Sequence, residues 1–330
     1  MNVLITSASR KVSLVKSFKL ALEAEGGGRV IAADANPQSA ALYFSDEAVV
    51  LPGDDDPAYA RALLDLCATR RISLLVPTRD EELPFFAARK KEFAEAGTVV
   101  AVCGPETILK CQDKALFAEF CLSCGFKIPP IVEPARAVKF PVFVRPRRGK
   151  GGRGALRVDF WEHLQALLTR MPDALVQEFD RGFEYTVDLF ADFSGRVISV
   201  VPRRRVVVTG GESFVSRTVK DPALMDESAR LSTALGLIGH NTIQCFGDAD
   251  GIRFIEVNPR FGGAAALSIA AGADTPRWLV KLARGETLTP RIGNFTDALT
   301  MLRYTQDVFV EDAARPPAAK FDGAGRFYLK

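Results

Sequence analysis

Two periods alternate along the first hundred positions. Short apolar runs at Asn2 to Thr6, Arg29 to Asp34, Ala48 to Leu51, Ile72 to Pro77 and Val99 to Cys103 are separated by helical-period stretches at Lys11 to Glu25, at Tyr59 to Thr69 and up to Ala96. This order predicts a doubly wound parallel sheet, since parallel neighbours need a crossover and a helix supplies it. A boundary is expected near Gly104-Pro-Glu-Thr107, after which Asp113 and Lys114 fall in a helix running through Cys124 and stopped by Gly125. From Ile128 onward short strands dominate. Glu184, Thr186 and Asp188 alternate with Tyr185, Val187 and Leu189, so period two puts the three polar groups on one face.

The same period gives the C-terminal third its chemistry. In Phe254-Ile-Glu-Val-Asn-Pro-Arg-Phe-Gly-Gly263, Glu256 and Asn258 are two apart and share a face of an extended strand. Asn241 to Gly251 predicts the preceding strand and a tight turn, with Gly251 suited to positive φ. Folding that hairpin about Asp250 sets Gln244 opposite Glu256. Gln244, Glu256 and Asn258 then make an all-oxygen patch of the kind that holds Mg²⁺ against substrate phosphates, with Arg260 one step further along. A solvated hairpin with ordinary polar residues is the alternative.

Pro141-Val-Phe-Val-Arg-Pro-Arg-Arg-Gly-Lys-Gly-Gly-Arg-Gly154 changes that balance, because an apolar strand runs into a glycine-rich basic loop. Glycines let backbone N–H groups close on an anion, while Arg145 supplies a fixed cation and Lys150 a mobile one. Ala174 to Glu178 is another apolar strand, followed by a turn at Gly182.

Lys114, Arg145 with its glycine loop, Glu178, Glu184, Gln244, Glu256, Asn258 and Arg260 occur in the order and approximate spacing of the ATP-grasp superfamily, which the chain resembles over nearly its whole length. The synthetase halves of the carbamoyl phosphate synthetase large subunit and the stand-alone carboxylate–amine ligases look most similar, through Asn258-Pro259-Arg260. The resemblance implies an α/β chain with a pre-ATP-grasp domain at 1–106 and an ATP-grasp domain at 107–330, the latter split into subdomains of about 107–180 and 181–330. It implies ATP and Mg²⁺, or Mn²⁺ in its place. Lys114 and Arg145 would hold the α and β phosphates, and Lys150 with Gly151 and Gly152 would cover the γ phosphate. Glu178 and the backbone around Phe179 would meet adenine, and Glu184 the ribose hydroxyls. Gln244, Glu256 and Asn258 would coordinate the metal, and Arg260 would stabilise an acyl-phosphate transition state. Many members carry lysine where Arg145 stands, and arginine fits the carbamoyl phosphate branch.

Other features bear on the acceptor. Asp80 and Glu81, in Pro77-Thr-Arg-Asp-Glu-Glu-Leu83, lie where a parallel strand ends, so they either meet a substrate amine or begin the next helix. Arg203 and Arg205, in Val201-Pro-Arg-Arg-Arg205, are candidates for gripping a carboxylate or a second phosphate. Ser213 closes a glycine–acid–serine loop like one that borders the substrate in the carbamoyl phosphate type. A dinucleotide site at the first strand is disfavoured, because Ser7-Ala-Ser-Arg10 has no glycine before the helix.

Composition narrows the partners. A chain of 330 residues, 48% hydrophobic, can bury two or three α/β units, and a net charge of +3 with basic residues clustered beside glycine loops suits a small polyanion better than a nucleic-acid track. Six scattered cysteines, no leader-like start and no apolar run of spanning length predict a cytoplasmic protein with reduced thiols and no membrane association. Cys121 and Cys124 have metal-clip spacing but no second pair, so buried helix thiols are expected. The expected activity is ligation of a small-molecule acid and amine through an acyl phosphate; a carbamoyl-phosphate-type enzyme and a non-catalytic ATP-binding module are the alternatives. A homo-oligomer is compatible with all three, and oligomeric state is not encoded in these patterns.

Overall fold

A parallel sheet forms from the first five apolar runs. The computed structural model describes residues 1–133, 138–149 and 151–310, with the backbone of two short strands at 320–321 and 327–328; Lys150 and the Ala313 to Ala319 tail lie outside the described residues. Strands β1 (Asn2–Ile5), β2 (Arg29–Asp34), β3 (Glu47–Val50), β4 (Ile72–Val76) and β5 (Val99–Val100) lie in the order β3-β2-β1-β4-β5, all parallel. Helices α1 (Val12–Ala24), α2 (Tyr59–Thr69) and α3 (Leu83–Glu95) connect them. The order reverses between β1 and β4, which opens a crevice at their carboxyl ends.

The helix expected around Asp113 is two helices. Helix α4 (Pro105–Gln112) ends where Asp113 turns extended, and α5 (Lys114–Ser123) starts beyond it. Asp113 is the cap between them, its carboxylate accepting from the backbone N–H groups of Ala115 at 3.0 Å and Leu116 at 3.2 Å. Cys121 is buried in α5, where burial pushes its thiol up to about 12, whereas Cys124 is exposed at the helix end and corrects the expectation of two buried thiols.

A three-stranded antiparallel sheet of β6 (Val142–Arg145), β7 (Leu156–Val158) and β8 (Leu175–Glu178) packs with α6 (Trp161–Arg170) around its own small core of Val142, Val144, Val158, Leu164 and Val176. The larger antiparallel sheet comprises β9 (Phe183–Ala191), β10 (Val197–Thr209), β11 (Glu212–Thr218), β12 (Gly239–Asp248), β13 (Gly251–Asn258) and β14 (Thr300–Leu302), ordered β13-β12-β9-β10-β11-β14. One continuous core joins its back face to the parallel sheet, through Val187, Leu189, Ile243, Cys245, Phe254 and Val257 among others. Helices α7 (Pro222–Leu235), α8 (Ala265–Ala270) and α9 (Thr275–Ala283) complete this body. Glu25, at the end of α1, accepts from Arg277 of α9 at 2.5 Å and has Lys281 and Arg284 within 3.7 Å.

Phe254 packs beneath β13 with its ring edge-on to Phe126 at 5.8 Å, and is almost wholly buried. Phe254→Ala is expected to cost about 3–5 kcal/mol in urea unfolding; a loss under about 1 kcal/mol would show that back-face packing does not hold this strand.

Candidate active site

Strand register gathers the polar residues. Arg203 of β10 lies opposite Thr186 of β9, Thr186 opposite Gln244 of β12, and Gln244 opposite Glu256 of β13. The next row brings Asp188, Thr242 and Asn258 abreast. Partners directly opposite one another share a face, so the two rows form one polar floor while the intervening residues enter the core. That floor bounds a cleft of about 460 Å³. The hairpin turns between Asp248 and Gly251, which has φ 110°, and a bulge between Gln244 and Cys245 shifts the register so that Gln244 meets Glu256; the turn alone, expected about Asp250, does not set that pairing.

β6 and α5 supply the opposite wall. Arg145 is only 4% exposed; its Nη1 donates to the Ile255 carbonyl at 3.1 Å, beside Glu256, and its Nε is buried without a partner. Lys114 donates to the Gly149 carbonyl at 2.9 Å and lies 3.9 Å from a Glu256 oxygen. Burial lowers the pKa of both cations, opposed in each case by the Glu256 charge. Asn258 donates its amide to Glu256 at 3.2 Å. Asp113 holds the glycine loop from behind, accepting twice from Arg147 at 2.8 Å and from Arg148 at 3.4 Å. Its role escaped sequence analysis, although an aspartate directly before Lys114 is the usual signal of a cap.

Gly151, Gly152, Glu178 and Phe179 all line the cleft, as does Glu184. Glu184 is paired with Arg205, and Arg205 is fully engaged: Nε donates to Ser213 Oγ at 3.1 Å and Nη2 to the Gly211 carbonyl at 2.8 Å. Ser213 is therefore an acceptor for Arg205 as well as a cleft residue. The tip of this β10–β11 hairpin touches the glycine loop. Gly211 has φ 77°, and a Cβ there would lie 2.6 Å from the Gly151 carbonyl oxygen. Glu212, next in the chain, accepts from Arg303 at 2.9 Å and from Arg10 of the parallel-sheet domain at 3.3 Å.

Arg260 occupies the far end of the floor and is gripped from the other domain. Its Nε donates to Asp80 Oδ1 at 2.7 Å and its Nη2 to Asp80 Oδ2; its Nη1 donates to the Phe261 carbonyl at 3.2 Å. Asp80 does begin a short 3₁₀ helix, Asp80–Glu82, and it faces Arg260 as well. Arg260 and Asp80 both line a second cavity of about 430 Å³, the crevice between β1 and β4, with Ser7, Ser9, Thr78 and Arg79. Glu81 lines neither of these two cavities, and its half-exposed carboxylate lies 3.8 Å from Arg79. The buried Glu82 does the shaping instead, accepting from the N–H groups of Thr78 at 2.7 Å and Arg79 at 3.0 Å and from Ser7 Oγ at 2.9 Å. Ser7 and Ser9 take positive φ, and Asp34 accepts from the N–H groups of Ser9 and Asn36, so this acid serves the loop.

Among the described residues no cluster of three His, Cys, Asp or Glu side chains has metal-binding geometry. A hard cation here would take one carboxylate, Glu256, with amide oxygens of Gln244 and Asn258, a set that suits Mg²⁺ when substrate phosphates fill the remaining positions.

Comparison with known proteins matches two family models. Residues 3–101 match the family described as PylC-like, N-terminal domain, and residues 170–306 match ATP-grasp in the biosynthetic pathway with Ter operon. These matches support an ATP-grasp ligase. It is 27% identical over 311 residues to the carbamoyl phosphate synthase large chain of Rubrobacter xylanophilus, covering 83% of this chain and 29% of that one. The ATP-grasp chain thus spans under a third of that relative's length. Among solved structures it resembles the biotin carboxylase domain of Hydrogenobacter thermophilus 2-oxoglutarate carboxylase in complex with MgADP, ADP and bicarbonate (TM-score 0.69, 18% identity, 91% of this chain and 73% of that one). It also resembles the L-amino acid ligase of Bacillus licheniformis (TM-score 0.68, 20% identity, 87% and 75%). Likeness at that identity establishes the fold. Among the described residues no helix is long and apolar enough to cross a membrane.

The Asp80–Arg260 contact joins the segment after β4 to the segment after β13. Measured by urea unfolding of Asp80→Ala, Arg260→Ala and the double variant, the pair is expected to show a coupling of about 1–3 kcal/mol. Additive single effects would mean that the contact does not hold Arg260.

Proposed function

We propose that this protein is an ATP- and Mg²⁺-dependent ligase that joins a small-molecule carboxylate to an amine through an acyl phosphate, in the cytoplasm. The observation that carries the proposal is the pairing of Gln244 with Glu256 on a floor that faces Arg145 and Lys114 across one cleft. Cationic and oxygen-donor walls on either side of a cavity are what a metal-bound triphosphate requires. Adenine would lie by Glu178 and Phe179, the ribose by Glu184, and the phosphates between Arg145 with Lys114 and the β12–β13 hairpin. Mg²⁺, held by Gln244, Glu256 and Asn258, would supply neutralisation of the phosphate charge.

This chain's residues bind and align. Arg145 carries an unpartnered buried N–H that an anion would satisfy. Arg260, oriented by Asp80, offers its remaining Nη1 hydrogen to the oxygens of the transferring phosphoryl group. Alignment and charge stabilisation account for most of the catalysis in such transfers, so no activated serine or cysteine nucleophile is needed. Asp80 and Arg260 also border the second cavity, a fitting approach for the amine.

An ADP-release screen over amino acids and small acids, each with candidate amines and with bicarbonate, tests the assignment. ADP together with an amide product of the expected mass supports the ligase; ADP release with bicarbonate alone would favour the carbamoyl-phosphate type, and no ADP release with any pair would overturn an enzymatic role. Arg260→Ala is expected to lower kcat by about 10²–10³-fold with KM for ATP little changed. Glu256→Gln is expected to raise the Mg²⁺ concentration needed for half-maximal rate, and an unchanged titration would remove Glu256 from the metal set.

A further inference from the structure

The two arginines that sequence analysis treated alike are in different states. Arg205 has all three nitrogens committed, to Glu184, Ser213 and the Gly211 carbonyl. Arg203 is 3% exposed and uses only Nε, which donates to Asp188 Oδ2 at 2.9 Å. Its Nη1 is walled in without a partner, and its Nη2 has none among the described residues, although the residue lines the cleft. A buried guanidinium with idle donors is costly unless a ligand satisfies it, and Nη2, the nitrogen that is neither paired nor sealed off, can give a charge-assisted hydrogen bond to an oxyanion in the cleft.

Asp188 keeps Arg203 in place. Burial alone would push this carboxyl up, but the Arg203 charge and the His240 ring together hold it well below the ordinary carboxylate range. His240 lies 3.8 Å from Asp188 Oδ1, has its Nδ1 3.1 Å from Thr275 Oγ1, and stacks on Phe261 at 4.2 Å. Arg203 stands two strands from Gln244 and three from Glu256 in the same row, so its backbone is about 10 Å from that of Gln244. Phosphates held at Gln244, Glu256 and Arg145 would leave it uncovered.

We propose that Arg203, positioned by Asp188, anchors the oxyanion of the acceptor, a carboxylate or bicarbonate, and that Arg205 does not. This rests on the ligase assignment for the placement of ATP. The test uses the full chain saturated with Mg²⁺ and a nonhydrolysable ATP analogue, titrated separately with bicarbonate and with a panel of small organic acids and amino acids, with binding followed by melting temperature and calorimetry. At least one probe is expected to bind, with affinity about 10–100-fold weaker in Arg203→Met. Arg203→Lys, which keeps the charge beside Asp188, is expected to be intermediate. Asp188→Asn is expected to weaken the probe about tenfold while the analogue binds within about threefold of wild type. Binding of bicarbonate only, or of organic acids only, identifies the source of the oxyanion. No probe binding, equal binding by Arg203→Met, or a loss confined to analogue affinity would overturn the proposal. Failure of the ligase assignment looks different: wild type that binds a probe through Arg203 yet releases no ADP with any acid and amine.

Discussion

The registered pairing of β9, β10, β12 and β13 is the constraint on which the site depends. Side chains in a sheet alternate faces, so one slip of β12 against β13 would move Gln244 to the core side while Glu256 stayed in the cleft. Ile243, Cys245, Phe254 and Val257 prevent the slip, because each is buried on the opposite face. The core therefore fixes the chemistry. Hydrophobic burial behind the sheet holds in place a row of polar groups that would otherwise repel or be solvated.

The opposite wall is held by fewer contacts. The β6–β8 sheet has a small core of its own, and Arg145 and Lys114 meet β13 through one backbone hydrogen bond and one long ion pair. Where the two glycine turns meet, Gly211 approaches the Gly151 carbonyl too closely for any side chain. Buried cations lining the cleft are kept by the fold at a cost, which a polyanion between the walls would offset. Arg145 belongs to this class; Arg203, Arg205 and Arg147 are each balanced by a carboxylate of the protein itself, and Arg203 differs from the last two in keeping idle donors.

Much of this was legible in the chain because it is periodic or local. The five parallel strands, the face shared by Glu184, Thr186 and Asp188, and the β12–β13 hairpin follow from spacing, whereas the bulge that brings Gln244 against Glu256 does not. Contacts between distant segments were not legible. Asp80 and Arg260 are 180 positions apart, and no local pattern joins them. Nor does spacing distinguish Arg203 from Arg205, since both face the cleft and only their neighbours on β9 and β11 decide which is satisfied. Glu81 and Glu82 show the same limit: one faces solvent and the other is buried under three hydrogen bonds, although they are adjacent in an acidic run. At Asp113 local information was present, but helix periodicity on both sides concealed a cap.

On the proposed function, the β12–β13 hairpin and the Arg145 wall hold a metal-bound triphosphate between them. The decisive measurement is a crystal structure of the protein with Mg²⁺ and a nonhydrolysable ATP analogue. A cation about 2.1 Å from Glu256 oxygen, shared with the analogue's phosphates, is expected, with Arg145 on those phosphates. An analogue lodged in the β1–β4 crevice, or a cation bound away from Glu256, would contradict it.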